Sequence, residues 1–187
     1  TFGGGISRMN KHNNKVTFTN ITKANSNLST NQIRYLKIDS EGNLWIATTF
    51  GINMLPKAQL NNDQFRFRHF LHSAGDKNSL SYNDVNHIFE SSDHQLWFGT
   101  SGGGLNQLVA LTDSEAKFKC YTTTNGLSND VVYSIQEDSN QNLWIATENG
   151  ISKKSKNKDH LESFNQNNGS SIQNFSEATI CRLSNGN

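Results

Sequence analysis

The sequence predicts an all-β protein, a stretch of β-propeller made of four-stranded antiparallel blades. Three observations carry this. A ten-residue string recurs three times without gaps, a Leu-Ser pair precedes each copy at a fixed distance, and the apolar run inside each copy shows no polar alternation.

The three copies are Asp39-Ser-Glu-Gly-Asn-Leu-Trp-Ile-Ala-Thr48, Ser91-Ser-Asp-His-Gln-Leu-Trp-Phe-Gly-Thr100 and Asp138-Ser-Asn-Gln-Asn-Leu-Trp-Ile-Ala-Thr147. Their tryptophans, Trp45, Trp97 and Trp144, are separated by 52 and 47 residues. Leu28-Ser29, Leu80-Ser81 and Leu127-Ser128 each begin 17 residues before a tryptophan. Fixed internal spacing with a variable period confines the length variation to one connecting loop, as in a repeat array. Cutting after each Thr gives units at 1–48, 49–100, 101–147 and 148–187. Thr1-Phe-Gly-Gly-Gly-Ile6 matches Thr100-Ser-Gly-Gly-Gly-Leu105, and Leu183-Ser-Asn-Gly-Asn187 matches Asp39-Ser-Glu-Gly-Asn43. Both ends therefore fall inside a repeat, and the expectation is a portion of a longer array about four units long.

Within the third copy, strands are expected at Val131–Glu137, Leu143–Thr147, Ile151–Lys154 and Leu161–Phe164, separated by Asn/Gly/Asp turns. The Leu-Trp-Ile-Ala strand is apolar on both faces, so it must be sandwiched; face-packed sheets around a ring supply that setting. Ala47, Gly99 and Ala146, two residues after each Trp, are expected to leave room for a large side chain of a neighbouring blade. The tryptophans are read as core. In Asp-Ser-x-Gly-Asn, the Asp and Ser side chains are expected to accept from nearby backbone N–H groups in a tight hairpin.

Composition narrows the function. With 33% hydrophobic and 10% aromatic residues and a net charge of +1, a folded domain with long polar loops fits better than disorder. The neutral balance gives no reason to expect nucleic acid. No apolar run reaches the roughly 20 residues that span a bilayer. Cys120 and Cys181 lack metal-ligand spacing and read as strand residues, with a disulfide between them left open by the sequence; the Asp-rich hairpins lack a complete calcium loop, and no cofactor is expected.

At Leu-Ser-x-Asn, Val/Ile-x-x-Ile, Asp-x-x-Gly-Asn-Leu-Trp-Ile-Gly/Ala-Thr and Gly-Gly-Leu/Ile the chain resembles the two-component regulator propeller repeats. The resemblance implies a seven-bladed extracytoplasmic propeller, followed by a small β-sandwich, a membrane helix and an output domain, commonly a histidine kinase. It implies a periplasmic location, attachment to the membrane through other parts of the protein, and a homodimeric receptor. It further implies an oligosaccharide or other small-molecule ligand. The fourth unit departs from the pattern: Ile172-Gln-Asn-Phe-Ser-Glu-Ala178 replaces Leu-Ser-x-Asn, as in a closing blade.

Strand parity places the Leu-Ser loops and the Thr-x-Gly turns on one face of the ring. With the first strand of each blade innermost, Arg34 and Tyr35, Asn86 and His87, and Tyr133 and Ser134 fall at the mouth of the central channel. Of these, Arg34, Tyr35, Asn86, His87 and Tyr133 are the candidate ligand-binding residues. A propeller lyase or glycosidase would need an acid–base pair near His87. Glu90 and Asp84 lie close in sequence, and Asp130 and Glu148 lie on the same face, but no such pair recurs, so no catalytic residue is expected. The remaining alternative is a structural or dimerisation propeller without its own ligand.

Overall fold

A computed structural model describes residues 3–62 and 64–165. The chain begins with a hairpin, β1 (Ile6–His12) and β2 (Lys15–Ile21), and continues through three four-stranded antiparallel sheets. Sheet one contains β3 (Ile33–Ile38), β4 (Leu44–Thr48), β5 (Gly51–Leu55) and β6 (Arg68–Phe70). Sheet two contains β7 (Val85–Glu90), β8 (Leu96–Thr100), β9 (Leu105–Leu111) and β10 (Ala116–Tyr121). Sheet three contains β11 (Val132–Glu137), β12 (Leu143–Thr147), β13 (Gly150–Lys154) and β14 (Glu162–Phe164). Each is an up-and-down meander in sequence order, and the expected strands of the third copy agree with β11–β14 within one residue. The fourth-unit segment from Ile172 onward, with Cys181, lies outside the described residues.

The sheets are out of phase with the repeat units. Boundaries after Thr48, Thr100 and Thr147 fall between the second and third strands, because the string that recurs best spans one hairpin and its second strand. First strands of successive sheets lie side by side, β3 against β7 and β7 against β11. The sheets thus converge on their first strands, which form the inner wall.

The core sits between sheets, which explains an apolar run with no alternation. On β4, Trp45 and Ala47 join a cluster with Val85, Ile88 and Phe98 of sheet two, while Ile46 faces back onto Ile6 and Ile21 of the hairpin. On β8, Trp97 faces Val132 and Ile135 of sheet three while Phe98 faces back onto sheet one. The small residue after each Trp serves as expected at Gly99, where an added Cβ would lie 2.6 Å from Cγ1 of Val132.

The repeated polar residues tie the blade together. The Asp39 carboxylate accepts from Asn43 N at 2.7 Å and from the Trp45 indole at 2.7 Å, and Asp138 binds Asn142 N and Trp144 Nε1 at 2.9 Å each. In sheet two the Ser91 hydroxyl takes the Trp97 indole at 3.3 Å. Thr48, Thr100 and Thr147 each donate to the carbonyl of a glycine at or just before the start of the third strand, Gly51, Gly104 and Gly150. The Leu-Ser serines are anchored to buried third-strand residues: Ser29 to Asn53, Ser81 to Asn106 and Ser128 to Ser152. Glutamates at the end of β7 and β11 reach back to the preceding blade's hairpin, Glu90 to Ser40 N at 2.9 Å and Glu137 to Ser92 N at 2.8 Å.

Partial burial raises the Asp138 carboxyl, but bonds from the Asn142 side chain, the Trp144 indole and the backbone of Asn142 and Asn140 outweigh it and hold the group at about 2. A folded value below the ordinary 3.8 means that the tie stabilises fully above that ordinary value, and that the contribution disappears as pH falls through the folded value. Between pH 5 and pH 2, wild type should therefore lose more melting temperature than Asp138→Asn, by a difference that thermal unfolding reads directly. Parallel curves for the two proteins would show that the carboxylate makes no such contribution.

Candidate functional site

The candidate site is the upper end of the inner wall, where β3, β7 and β11 begin. Each of these strands carries a bulge at the same place. Register slips between Ile33 and Tyr35, between Val85 and His87, and between Val132 and Ser134, so that Arg34, Asn86 and Tyr133 are the bulged residues. A bulge re-aims the side chain it carries and increases local twist. The residue that follows rejoins the ladder opposite the small residue of the second strand, Tyr35 against Ala47, His87 against Gly99 and Ser134 against Ala146.

The bulged residues of sheets one and two couple neighbouring blades. Arg34 donates from Nε to Asp84 Oδ1 at 2.8 Å and from Nη2 to Asp84 Oδ2 at 2.7 Å, a two-pronged ion pair between sheet one and the loop before β7. Asn86 is buried; its amide donates to the Val132 carbonyl at 3.0 Å and accepts from the Ser101 hydroxyl at 2.9 Å. It therefore holds the third blade against the second and shapes the wall from behind. Tyr133 is half-buried and Ser134 is buried.

Tyr35 and His87 come together across the first blade interface, with ring centroids 4.3 Å apart and planes at 51°. Burial, with Lys37 nearby, pushes the His87 imidazole down to about 4, so it is uncharged at neutral pH. Its Nδ1 is buried with no hydrogen-bond partner among the described residues. Of the carboxylates weighed beside it, Asp84 binds Arg34, Glu90 binds Ser40 and Asp130 accepts from Thr123 N at 2.8 Å, while Glu148 is exposed in the β12–β13 turn. Among the described residues His87 makes no ion pair or hydrogen bond with a carboxylate.

Two residues of this face were missed by sequence reasoning. Phe50, in the β4–β5 turn, is 51% exposed, and Tyr82, in the Leu-Ser loop before β7, is 46% exposed. Their segments are joined by the bond from Gly51 N to the Asn83 carbonyl. Phe50 had a legible signal, since the equivalent turns at Ser101-Gly102 and Glu148-Asn149 carry no large apolar residue.

The two-component regulator propeller profile matches residues 27–50, 79–102 and 126–149, each running from the Leu-Ser loop through the second strand. Histidine kinase P4 of Formosa agariphila is 25% identical over 170 residues, 90% of this chain and 12% of that protein. Among solved structures, the extracellular domain of a hybrid two-component system from B. thetaiotaomicron is 28% identical, with a TM-score of 0.74 over 92% of this chain and 22% of that one. Virginiamycin B lyase from Staphylococcus aureus shares the fold alone, at 18% identity and a TM-score of 0.60, over 87% of this chain and 49% of the lyase. The chain thus spans 12% of the length of the histidine kinase and 22% of that extracellular domain. With three matched repeats, each in register with one sheet, the chain carries two-component regulator propeller repeats.

Proposed function

We propose that this chain is part of the extracytoplasmic ligand-sensing propeller of a bacterial membrane signalling receptor, and that its ligand is a glycan. The observation that carries the reading is the convergence on one face of the Tyr35–His87 ring pair, the Arg34–Asp84 pair and the exposed rings of Phe50 and Tyr82. Concave mouths with a few polar groups among aromatics are the usual setting for small ligands, and flat exposed rings suit the apolar faces of sugars. Likeness to the extracellular part of a hybrid two-component system supports a sensing role. The whole receptor is read as a periplasmic homodimer, anchored through segments other than this one, with the propeller itself non-catalytic.

The test is a thermal-shift screen of polysaccharide-derived oligosaccharides on the full-length protein, with each bound sugar re-examined for cleavage. A ligand that binds the native state must raise the melting temperature, by an amount that grows with concentration. The expected result is a saturable rise with an uncleaved sugar. Absence of any shift together with strong self-association would favour a structural propeller. Cleavage abolished by His87→Ala would favour a lyase or glycosidase.

A further inference from the structure

The geometry points to the Arg34–Asp84 pair as the element that sets the charge of the ligand: this arc of the mouth receives uncharged, hydroxyl-bearing faces and turns away carboxylates and sulfates. The inference rests on the ligand-sensing reading and adds the chemical class of the ligand to it.

Arg34 presents two parallel N–H groups to the two oxygens of Asp84 at 2.8 and 2.7 Å. This is the fork geometry in which an arginine grips a ligand carboxylate or sulfate. Asp84 therefore stands where the acidic group of a ligand would stand. The pair is particular to one interface. Arg34 has Asn86 and Tyr133 as its equivalents in the other blades, and Asp84 has Gln32 and Val131. Among the described residues, arginine and acid thus occur together at one interface and neither occurs at the equivalent positions of the others.

The other cationic side chains of the three first strands are also unavailable to an anion. Lys37 faces Glu90 at 3.7 Å, His87 is uncharged at neutral pH, and β11 carries none. The pair itself is only partly exposed, at 20% for Arg34 and 26% for Asp84. An acidic ligand would have to displace Asp84, stranding a half-buried carboxylate, or lie beside it and be repelled. A neutral sugar meets neither cost, and Phe50 and Tyr82 offer it apolar faces.

The test uses the full-length protein with three probes: neutral tetrasaccharides of the gluco-, xylo-, manno- and arabino- series, tetragalacturonate, and sulfate at constant ionic strength. Wild type should bind a neutral series, bind tetragalacturonate at least about tenfold more weakly, and show no melting shift with sulfate. Asp84→Asn removes the charge and keeps the shape; it should gain tetragalacturonate binding and be stabilised by sulfate. Arg34→Gln combined with Asp84→Asn should lose both gains, and this charge-free pair remains informative if the single variant is too unstable. Wild type binding tetragalacturonate as tightly as a neutral sugar, or Asp84→Asn leaving the discrimination unchanged, would overturn the inference while leaving the ligand site standing. No binding of either sugar series to wild type would overturn the sensing reading, and this inference with it.

Discussion

Trp45→Ala is expected to lower the stability of the propeller by about 3–5 kcal/mol, seen as a fall of roughly 10 °C in melting temperature. Trp45 is fully buried and lies 5.6 Å, ring to ring, from both Phe70 of its own sheet and Phe98 of the next. Removing it empties the space between sheets one and two, and the side chains around that space belong to two different blades. It also takes the indole donor from Asp39, whose residue is only 9% exposed. Trp45→Phe separates the two effects. It keeps most of the ring volume and loses the indole bond, while Asn43 still donates to Asp39 through N and Nδ2. Its cost should be about 1–2 kcal/mol. Equal losses for the two variants would mean that the hydrogen bond, not the packing, dominates at this site.

Trp45 shows why so much of the fold is legible in the sequence. The constraint on a blade is local and repeated: one hairpin, one second strand, one turn, each tied by side chains within six residues. The Asp39–Trp45 and Asp138–Trp144 bonds both span six positions, so they leave a motif of fixed length. Two-sided burial leaves an uninterrupted apolar run, and a chain with three such runs in phase has few folds open to it.

What was illegible lies between blades. The Arg34–Asp84 pair spans 50 residues, and Asn86 reaches Val132 across 46, through a connecting loop whose length differs from repeat to repeat. The serine of each Leu-Ser pair was visible as a recurrence, but its partners Asn53, Asn106 and Ser152 were not, because residue type changes while the bond persists. The bulges leave no mark either: arginine, asparagine and tyrosine share no chemistry that would announce a shift of register. Placing these residues at the mouth followed from strand parity. Their coupling to the next blade required coordinates.

The second large effect concerns binding. Tyr35 and His87 are both half-buried, are supplied by different sheets and touch through their rings. Neither lies in the repeated string, and neither makes one of the ties that hold a blade together. Converting both to alanine removes two rings from the wall and spares the hairpin, turn and Leu-Ser anchors. Glycan affinity should fall by tenfold or more, since a few central groups carry most of the binding energy at such sites. The cost to stability should stay below that of Trp45→Ala. Single alanines should not add simply, because the two rings are in contact.

Under the proposed function, the repeat builds the blades while recognition resides on the bulged inner wall. The most direct measurement is glycan titration, with melting temperature recorded in parallel, on full-length wild type, Tyr35→Ala/His87→Ala and Asp138→Asn. The wall variant should lose affinity tenfold or more with a modest fall in melting temperature. The repeat variant should melt earlier and bind the glycan at low temperature as wild type does. Undiminished affinity in the wall variant, or a loss of affinity in Asp138→Asn under conditions where it is fully folded, would contradict the account.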